Sequence, residues 1–253
     1  MKKKRLNKKN LLLFLMFIFF LVLFIISGIK IVNYIKDNRA NEKIKKDINS
    51  SIKINEKATK DKYIIDFKAL KEQNSDTVGY IKVNGTNIEY AVVKGTNNAY
   101  YLNHNFNNDW NGSGWIFADY RNKFDGTDKN IVIYGHSMRD KSMFGTLKYV
   151  LNKDWYENKD NHIIILVTET GTHYYKVFST YSISKEDYYI TTDFISNEDF
   201  GTFINKIKSR SIYSYGVSVG DNERILTLSS CIGDTSKRVV LHAKLITDYK
   251  GEL

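Results

Sequence analysis

The hydrophobic pattern divides the chain into three parts. Leu11 to Ile29 reads LLLFLMFIFFLVLFIISGI, nineteen residues without a charge. At about 1.5 Å of rise per residue, a helix of this length spans roughly 30 Å, the hydrocarbon core of a bilayer. A cleaved signal peptide is the competing reading. Its apolar run is about 7–15 residues long and ends in a small-x-small site. The run here is longer and ends Ser-Gly-Ile-Lys, so an uncleaved anchor over residues 11–29 is expected. Residues 30–62 are rich in Lys, Asn, Asp and Ser. Ile31, Ile35, Ile44, Ile48 and Ile52 give them a weak helical stripe. The expectation is a partly helical, solvated stalk without chemistry of its own.

From residue 63 the pattern changes. Tyr63–Gln73 is amphipathic, with Ile64, Phe67 and Leu70 at helical spacing, and predicts a helix. Short β-rich runs follow. VGYIKV (78–83) and NIEYAVV (87–93) flank Asn84-Gly85, a strong hairpin dipeptide. GWIFAD (114–119), NIVIYG (130–135), HIIILVTE (162–169), THYYKVFSTYSI (172–183), RILTLSSC (224–231) and KRVVLHAKLI (237–246) read as further strands. Ser196, with Asp199 three residues on, opens a helix whose buried face is Phe200, Phe203, Ile204 and Ile207. The Asn-rich stretch 103–111 reads as a loop. Residues 63–253 therefore predict one mostly β, barrel-like domain with two or three inserted helices.

Composition excludes several classes. With 42% hydrophobic and 14% aromatic residues, the chain of 253 can bury a core and is not disordered. A single cysteine excludes a disulfide framework, and the absence of proline excludes collagen-like and Pro-rich linker readings. The net charge of +10 invites a nucleic-acid reading, but its location argues otherwise. Residues 1–10 carry six cations and residues 30–62 a net +5, which leaves −1 for residues 63–253. The positive charge flanks the apolar run and builds no binding face, so nucleic acid is not the expected partner. The leading cations predict a cytoplasmic N-terminal segment, residues 1–10, with the domain outside. No Cys/His cluster has zinc spacing, and Asp125-Gly-Thr-Asp128 reads as a turn, so no metal site is expected. P-loop, dinucleotide and Gly-x-Ser-x-Gly signatures are absent from the sequence.

Cys231, alone in an exported domain, is either an inert buried residue, half of an intermolecular disulfide, or a reactive thiol. Strand parity bears on the choice. In 224–231, Leu226 and Leu228 share one face, and Ile225, Thr227, Ser229 and Cys231 the other. In 237–246, Val239, Leu241, Ala243 and Leu245 form an apolar face opposite Arg238, Val240, His242 and Lys244. If the apolar faces pack inward, an antiparallel pair sets Cys231 beside Arg238, pointing away from the core at one sheet edge. A fixed cation there favours a thiolate and can hold an oxyanion; a plain surface charge is the alternative. A nucleophilic thiol also needs a proton carrier. His242 is about 13 Å along its strand from Arg238. His162 and His173 read as half-exposed residues at strand starts, and His104 as a loop residue. His136 ends the strand NIVIYG, where active-site groups often lie, although it could equally cap that strand.

At these residues the sequence closely resembles the sortases, class B. TLSSC (227–231) with Arg238 resembles that family's TLxTC…R signature, and IYGHSMRDKSMF (133–144) the segment bearing its catalytic histidine. VGYIKVNGTNIEYAVV, YYLNHNF and VVLHAKL are also similar to class B sequence. Ser230 stands where the family usually has Thr, and the Cys-to-Arg loop is short for class B. The resemblance implies a closed barrel of about eight strands, with N-terminal helices and a helix-bearing insertion before the cysteine strand. It implies a membrane-anchored cysteine transpeptidase without a cofactor; the alternatives are a cysteine peptidase with water as acceptor and an inactive surface-binding domain on the same fold. Cys231 would be the nucleophile, His136 the proton carrier and Arg238 the oxyanion or substrate holder, with Ser229 and Ser230 at the substrate. The implied partners are surface proteins with an NPxTN- or PxTG-like sorting signal, and a peptidoglycan cross-bridge or its lipid-linked precursor.

Overall fold

The apolar run and the stripe after it form one continuous helix, α1 (Lys8–Ser51). The computed structural model describes residues 8–55, 63–184, 186–231, 237–247 and 249, with Cys231 described by its backbone only. Leu11–Ile26 of α1 are exposed on every side. By length and composition this part can cross a membrane. The second half differs from the expected free stalk. Asn41 and Ile48 are buried against the domain, and Ile48 enters its core. Asp37, Asn41, Lys45 and Ile48 recur at helical spacing, so one stripe faces the barrel.

Two short strands follow, β1 (Lys53–Ile54) and β2 (Tyr63–Ile64), paired antiparallel. The helix expected over 63–73 is therefore shorter. It is α2 (Phe67–Gln73), and it starts where the Asp66 side chain accepts from the Ala69 amide at 2.9 Å. Upstream, the β-branched pair Ile64-Ile65 favours extended backbone.

Strands β3 (Thr77–Val83) and β4 (Glu89–Val93) form the expected hairpin. Gly85 adopts φ +69°, and a Cβ there would meet the Asn161 amide at 2.4 Å, so glycine is favoured. The run expected at 114–119 shrinks to β5 (Phe117–Ala118), because Gly114 has φ +57° and Asp119 turns the chain through Asn122. Next come β6 (Asn130–His136), the short helix α3 (Lys153–Glu157), β7 (Ile163–Thr168) and β8 (Gly171–Ser184). Helix α4 (Asn197–Ser209) begins at Ser196, whose Oγ accepts from the Asp199 amide, and buries the four expected side chains. Strands β9 (Ile225–Cys231) and β10 (Lys237–Ile246) end the described fold.

Among the described residues eight strands close in the order β10-β8-β7-β3-β4-β5-β6-β9, β9 pairing back to β10. Neighbours are antiparallel except β4·β5 and β6·β9. Leu226, Leu228, Val239, Leu241 and Ala243 point into the main core, as parity predicts. Closure corrects one expectation: β9 has neighbours on both sides, so Cys231 lies at the barrel's rim and not at a sheet edge. The opposite face is not open either. α4 covers it, and Ile225 and Val240 join Phe178, Tyr181, Phe200, Phe203 and Ile207 in a second core.

Candidate active site

The rim is built by register. In the parallel pair β6·β9, His136 lies opposite Cys231; in the antiparallel pair β10·β9, Arg238 lies opposite the same Cys231. Three candidate residues from distant parts of the sequence thus occupy one rung across three adjacent strands, whose spacing is about 4.8 Å. The five residues between Cys231 and Lys237, in the loop that joins these strands, lie outside the described residues.

A cavity of about 310 Å³ opens beside this rung. The barrel contributes Tyr134, His136, Ser229 and Arg238 to its lining. The β4–β5 connection adds Asn98 and Leu102, and the β8–β9 insertion adds Glu186, Asp187, Tyr189 and Ile190. Parity explains the barrel's share, since Tyr134 and His136 are two apart on one face of β6. Ser229 shares the Cys231 parity, and its Oγ meets the Tyr189 hydroxyl at 3.0 Å. Ser230 falls on the other parity, is 1% exposed and belongs to the barrel interior.

His136 is half-buried, and its Nε2 lies 2.8 Å from the Leu102 carbonyl. A carbonyl only accepts, so Nε2 carries the hydrogen and the ring has a fixed orientation. Arg238 is half-buried and its Nη1 donates to the Lys237 carbonyl at 3.1 Å. A guanidinium so placed can present its remaining N–H groups to an oxyanion or a peptide carbonyl.

Behind the cavity stands a network that sequence spacing did not reveal. Asp119 is fully buried. Arg121 grips both of its oxygens at 2.8 and 2.7 Å, Tyr134 donates to Oδ2 at 2.7 Å, and Asn98 donates at 2.9 Å. Burial alone would raise the Asp119 carboxyl; the hydrogen bonds from Arg121 and Tyr134 overrule it and hold it below its ordinary range. Burial, with the Asp119 charge beside it, pushes the Tyr134 hydroxyl far above the usual tyrosine value, so it stays a donor. Arg121 also donates to the Ile190 carbonyl at 3.0 Å. One buried carboxylate thereby ties Asn98, Tyr134 and Ile190 together around the cavity. Asp119 and Arg121 lie on a turn, and only tertiary folding brings them to the site; nothing in a periodic pattern marks them.

The other histidines sit elsewhere. His242 pairs with Thr227, four rungs from Cys231, and is fully buried. Its Nδ1 lies 2.9 Å from Thr227 Oγ1 and its Nε2 accepts from the Tyr181 hydroxyl at 2.8 Å. His162, expected to be half-exposed, is 2% exposed, with Nε2 donating to the Tyr156 carbonyl; Tyr156 and Tyr215 cover its ring. His173 is half-exposed and bonds the Thr168 and Thr170 hydroxyls. His104 stacks on Tyr100 at 4.0 Å and bridges to Trp110 within its loop.

The family profile described as "Sortase domain" matches residues 81–246. Sortase B of Listeria monocytogenes is 34% identical over 234 residues, which cover 88% of this chain and 92% of that protein. Sortase B of Staphylococcus aureus is 35% identical over 236 residues, covering 90% and 94%. The crystal structure of sortase B from Bacillus anthracis in complex with AAEK1 superposes with a TM-score of 0.74 at 32% identity, over 85% of this chain and 100% of that one.

Proposed function

The chain belongs to the sortase family, class B, whose members are cysteine transpeptidases acting on surface proteins and peptidoglycan, and from that premise we propose the residues and steps of its reaction. The single observation that carries the proposal is the shared rung of His136, Cys231 and Arg238 beside the cavity. In this reading the Cys231 thiolate attacks the carbonyl carbon of the Thr in a C-terminal sorting signal of the NPxTN or PxTG kind. The new C–S bond makes a tetrahedral oxyanion, which Arg238 holds with its guanidinium N–H groups. The C–N bond then breaks, and the leaving amine takes a proton from His136, giving a thioester. An amine of the peptidoglycan cross-bridge, or of its lipid-linked precursor, attacks the thioester and gives its proton to His136. The amide forms and the thiolate returns.

Leu102 fixes the hydrogen on His136 Nε2, so Nδ1 is the nitrogen that exchanges the reaction proton. Apolar and hydroxyl groups of the cavity suit an extended peptide, with Ser229 and Tyr189 as its polar contacts. Leu11–Ile29 anchors the enzyme to the cell membrane, with residues 1–10 cytoplasmic and the catalytic domain outside, residues 30–62 lying between.

Mass spectrometry with a panel of sorting peptides tests this directly. A covalent adduct of the peptide's N-terminal part should form on Cys231 and transfer to an added amine. The Cys231→Ala protein should form none while keeping its fold. Peptide cleavage by Cys231→Ala would sink the cysteine mechanism. Release to water alone, at every amine concentration, would make the enzyme a peptidase.

A further inference from the structure

We propose that Asp37–Asn41 of α1 is a positioning element for His136, acting through the loop that carries Leu102; the proposal rests on the proton-carrier role of His136 given above. The path is continuous. Asn41 and Asn111 are both buried and form a reciprocal amide pair, Asn41 Nδ2 donating to Asn111 Oδ1 at 3.2 Å and Asn111 Nδ2 to Asn41 Oδ1 at 3.0 Å. Asn41 Nδ2 also reaches the Gly114 carbonyl at 3.1 Å. One turn earlier, Asp37 accepts from Asn111 Nδ2 and from the Gly112 amide, and Asn38 accepts from the Ser113 hydroxyl at 2.7 Å. The helix therefore grips every residue of 111–114.

That segment in turn braces the residue beside His136. The Asn111 amide donates to the Asn103 carbonyl at 2.9 Å, and the Trp115 amide to the Tyr101 carbonyl at 3.0 Å. Gly114 lies so close that a Cβ would sit 2.3 Å from the Tyr101 oxygen and 2.8 Å from the Leu102 oxygen. The backbone at 101–103 is clamped, and its Leu102 carbonyl receives His136 Nε2–H. Such a carbonyl selects the tautomer and favours the imidazolium form. A buried amide pair is costly to leave half-satisfied, so helix and loop have one register. A slip or rotation of α1 would reach His136 through three contacts. Residues that composition marks as a spacer thus act on the proton carrier.

The test uses the full-length chain in detergent micelles, with ¹⁵N-histidine labelling. In Asn41→Ala, the His136 imidazole, assigned by loss of its signal in His136→Gln, should titrate about half a unit lower or more. Turnover of the peptide selected by acyl-enzyme formation should fall about tenfold in kcat, with KM within twofold. Lys45→Ala, on the same helix but bonded to the Asn87 carbonyl, should leave both readings unchanged. A folded Asn41→Ala protein with wild-type titration and kcat overturns the proposal, as does an equal effect from Lys45→Ala, which would mean general undocking. If Asn41→Ala does not fold, Ser113→Ala removes one bond of the grip and must move both readings in the same direction; wild-type values there also overturn it. A shifted titration in a chain that turns over no peptide would keep the positioning role and sink the transpeptidase assignment.

Discussion

His136 and His242 put one residue type in opposite environments. His136 sits half-buried at the rim with a carbonyl partner. His242 is sealed between α4 and the barrel, and burial, with Arg210 nearby, lowers its pKa to about 3. An unfolded histidine takes up its proton below about pH 6.5. The folded His242 refuses it until about pH 3. Between those values the unfolded chain binds more protons, so stability rises with pH through this window and is lost as pH falls. The loss is up to about 5 kcal/mol for a group so displaced. Urea midpoints of wild type and His242→Gln, measured from pH 7 to pH 4, check this. The variant should be about 2 kcal/mol weaker at pH 7 yet show a shallower acid slope, and should keep its turnover per folded molecule. His136→Ala should show the reverse: a nearly unchanged urea midpoint and almost no turnover. Active His136→Ala with dead His242→Gln would overturn the assignment. The choice between these histidines was legible in the sequence because strand rise converts four residues into a distance. Asp119 was not legible, since an acidic turn residue reads the same whether it meets water or Arg121.

At the scale of elements, β9 shows what parity can and cannot tell. Alternation separates Leu226 and Leu228 from Ile225, Thr227 and Ser229, and the barrel keeps that separation. It does not say what covers the second face. That answer lies in α4, whose Phe200, Phe203, Ile204 and Ile207 stripe needs an apolar partner and takes the outside of β8, β9 and β10. Only where this cover stops, at the rim, does the same strand face open to the cavity. Phe200 is fully buried and meets Phe194 edge-on at 4.9 Å, away from the cavity lining. Phe200→Ala should therefore cost about 3–5 kcal/mol in chemical denaturation and leave kcat per folded molecule within about twofold. A full loss of activity in the folded variant would mean that α4 shapes the site more directly than its contacts indicate.

At the scale of the whole molecule, α1 joins an exposed apolar segment to a barrel without a break. A composition shift at residue 30 suggests a boundary, yet the helix has none, because helix propensity and a sparse Ile stripe continue through it. Packing draws the real division near Asp37, where the first bonds to the barrel occur. Two truncations separate these readings. A fragment starting near residue 30 keeps Asp37, Asn41, Lys45 and Ile48 and should fold and turn over peptide like the full chain. A fragment starting at Lys53 exposes the surface that covers Ile48, 3% accessible in the intact protein, which forfeits about 1.5–3 kcal/mol. It also removes the hydrogen bonds that Asn41 and Asp37 make to Asn111, each worth about 0.5–1.5 kcal/mol. Together these place the expected fall in melting temperature at roughly 10 °C for a domain of this size. Turnover should fall further than the unfolded fraction explains, because the clamp on Leu102 is lost. Thermal denaturation and kcat measured on both fragments decide the matter. Equal melting temperatures would return residues 30–52 to the role of a tether, and an inactive fragment from residue 30 would show that the apolar segment itself contributes to the fold.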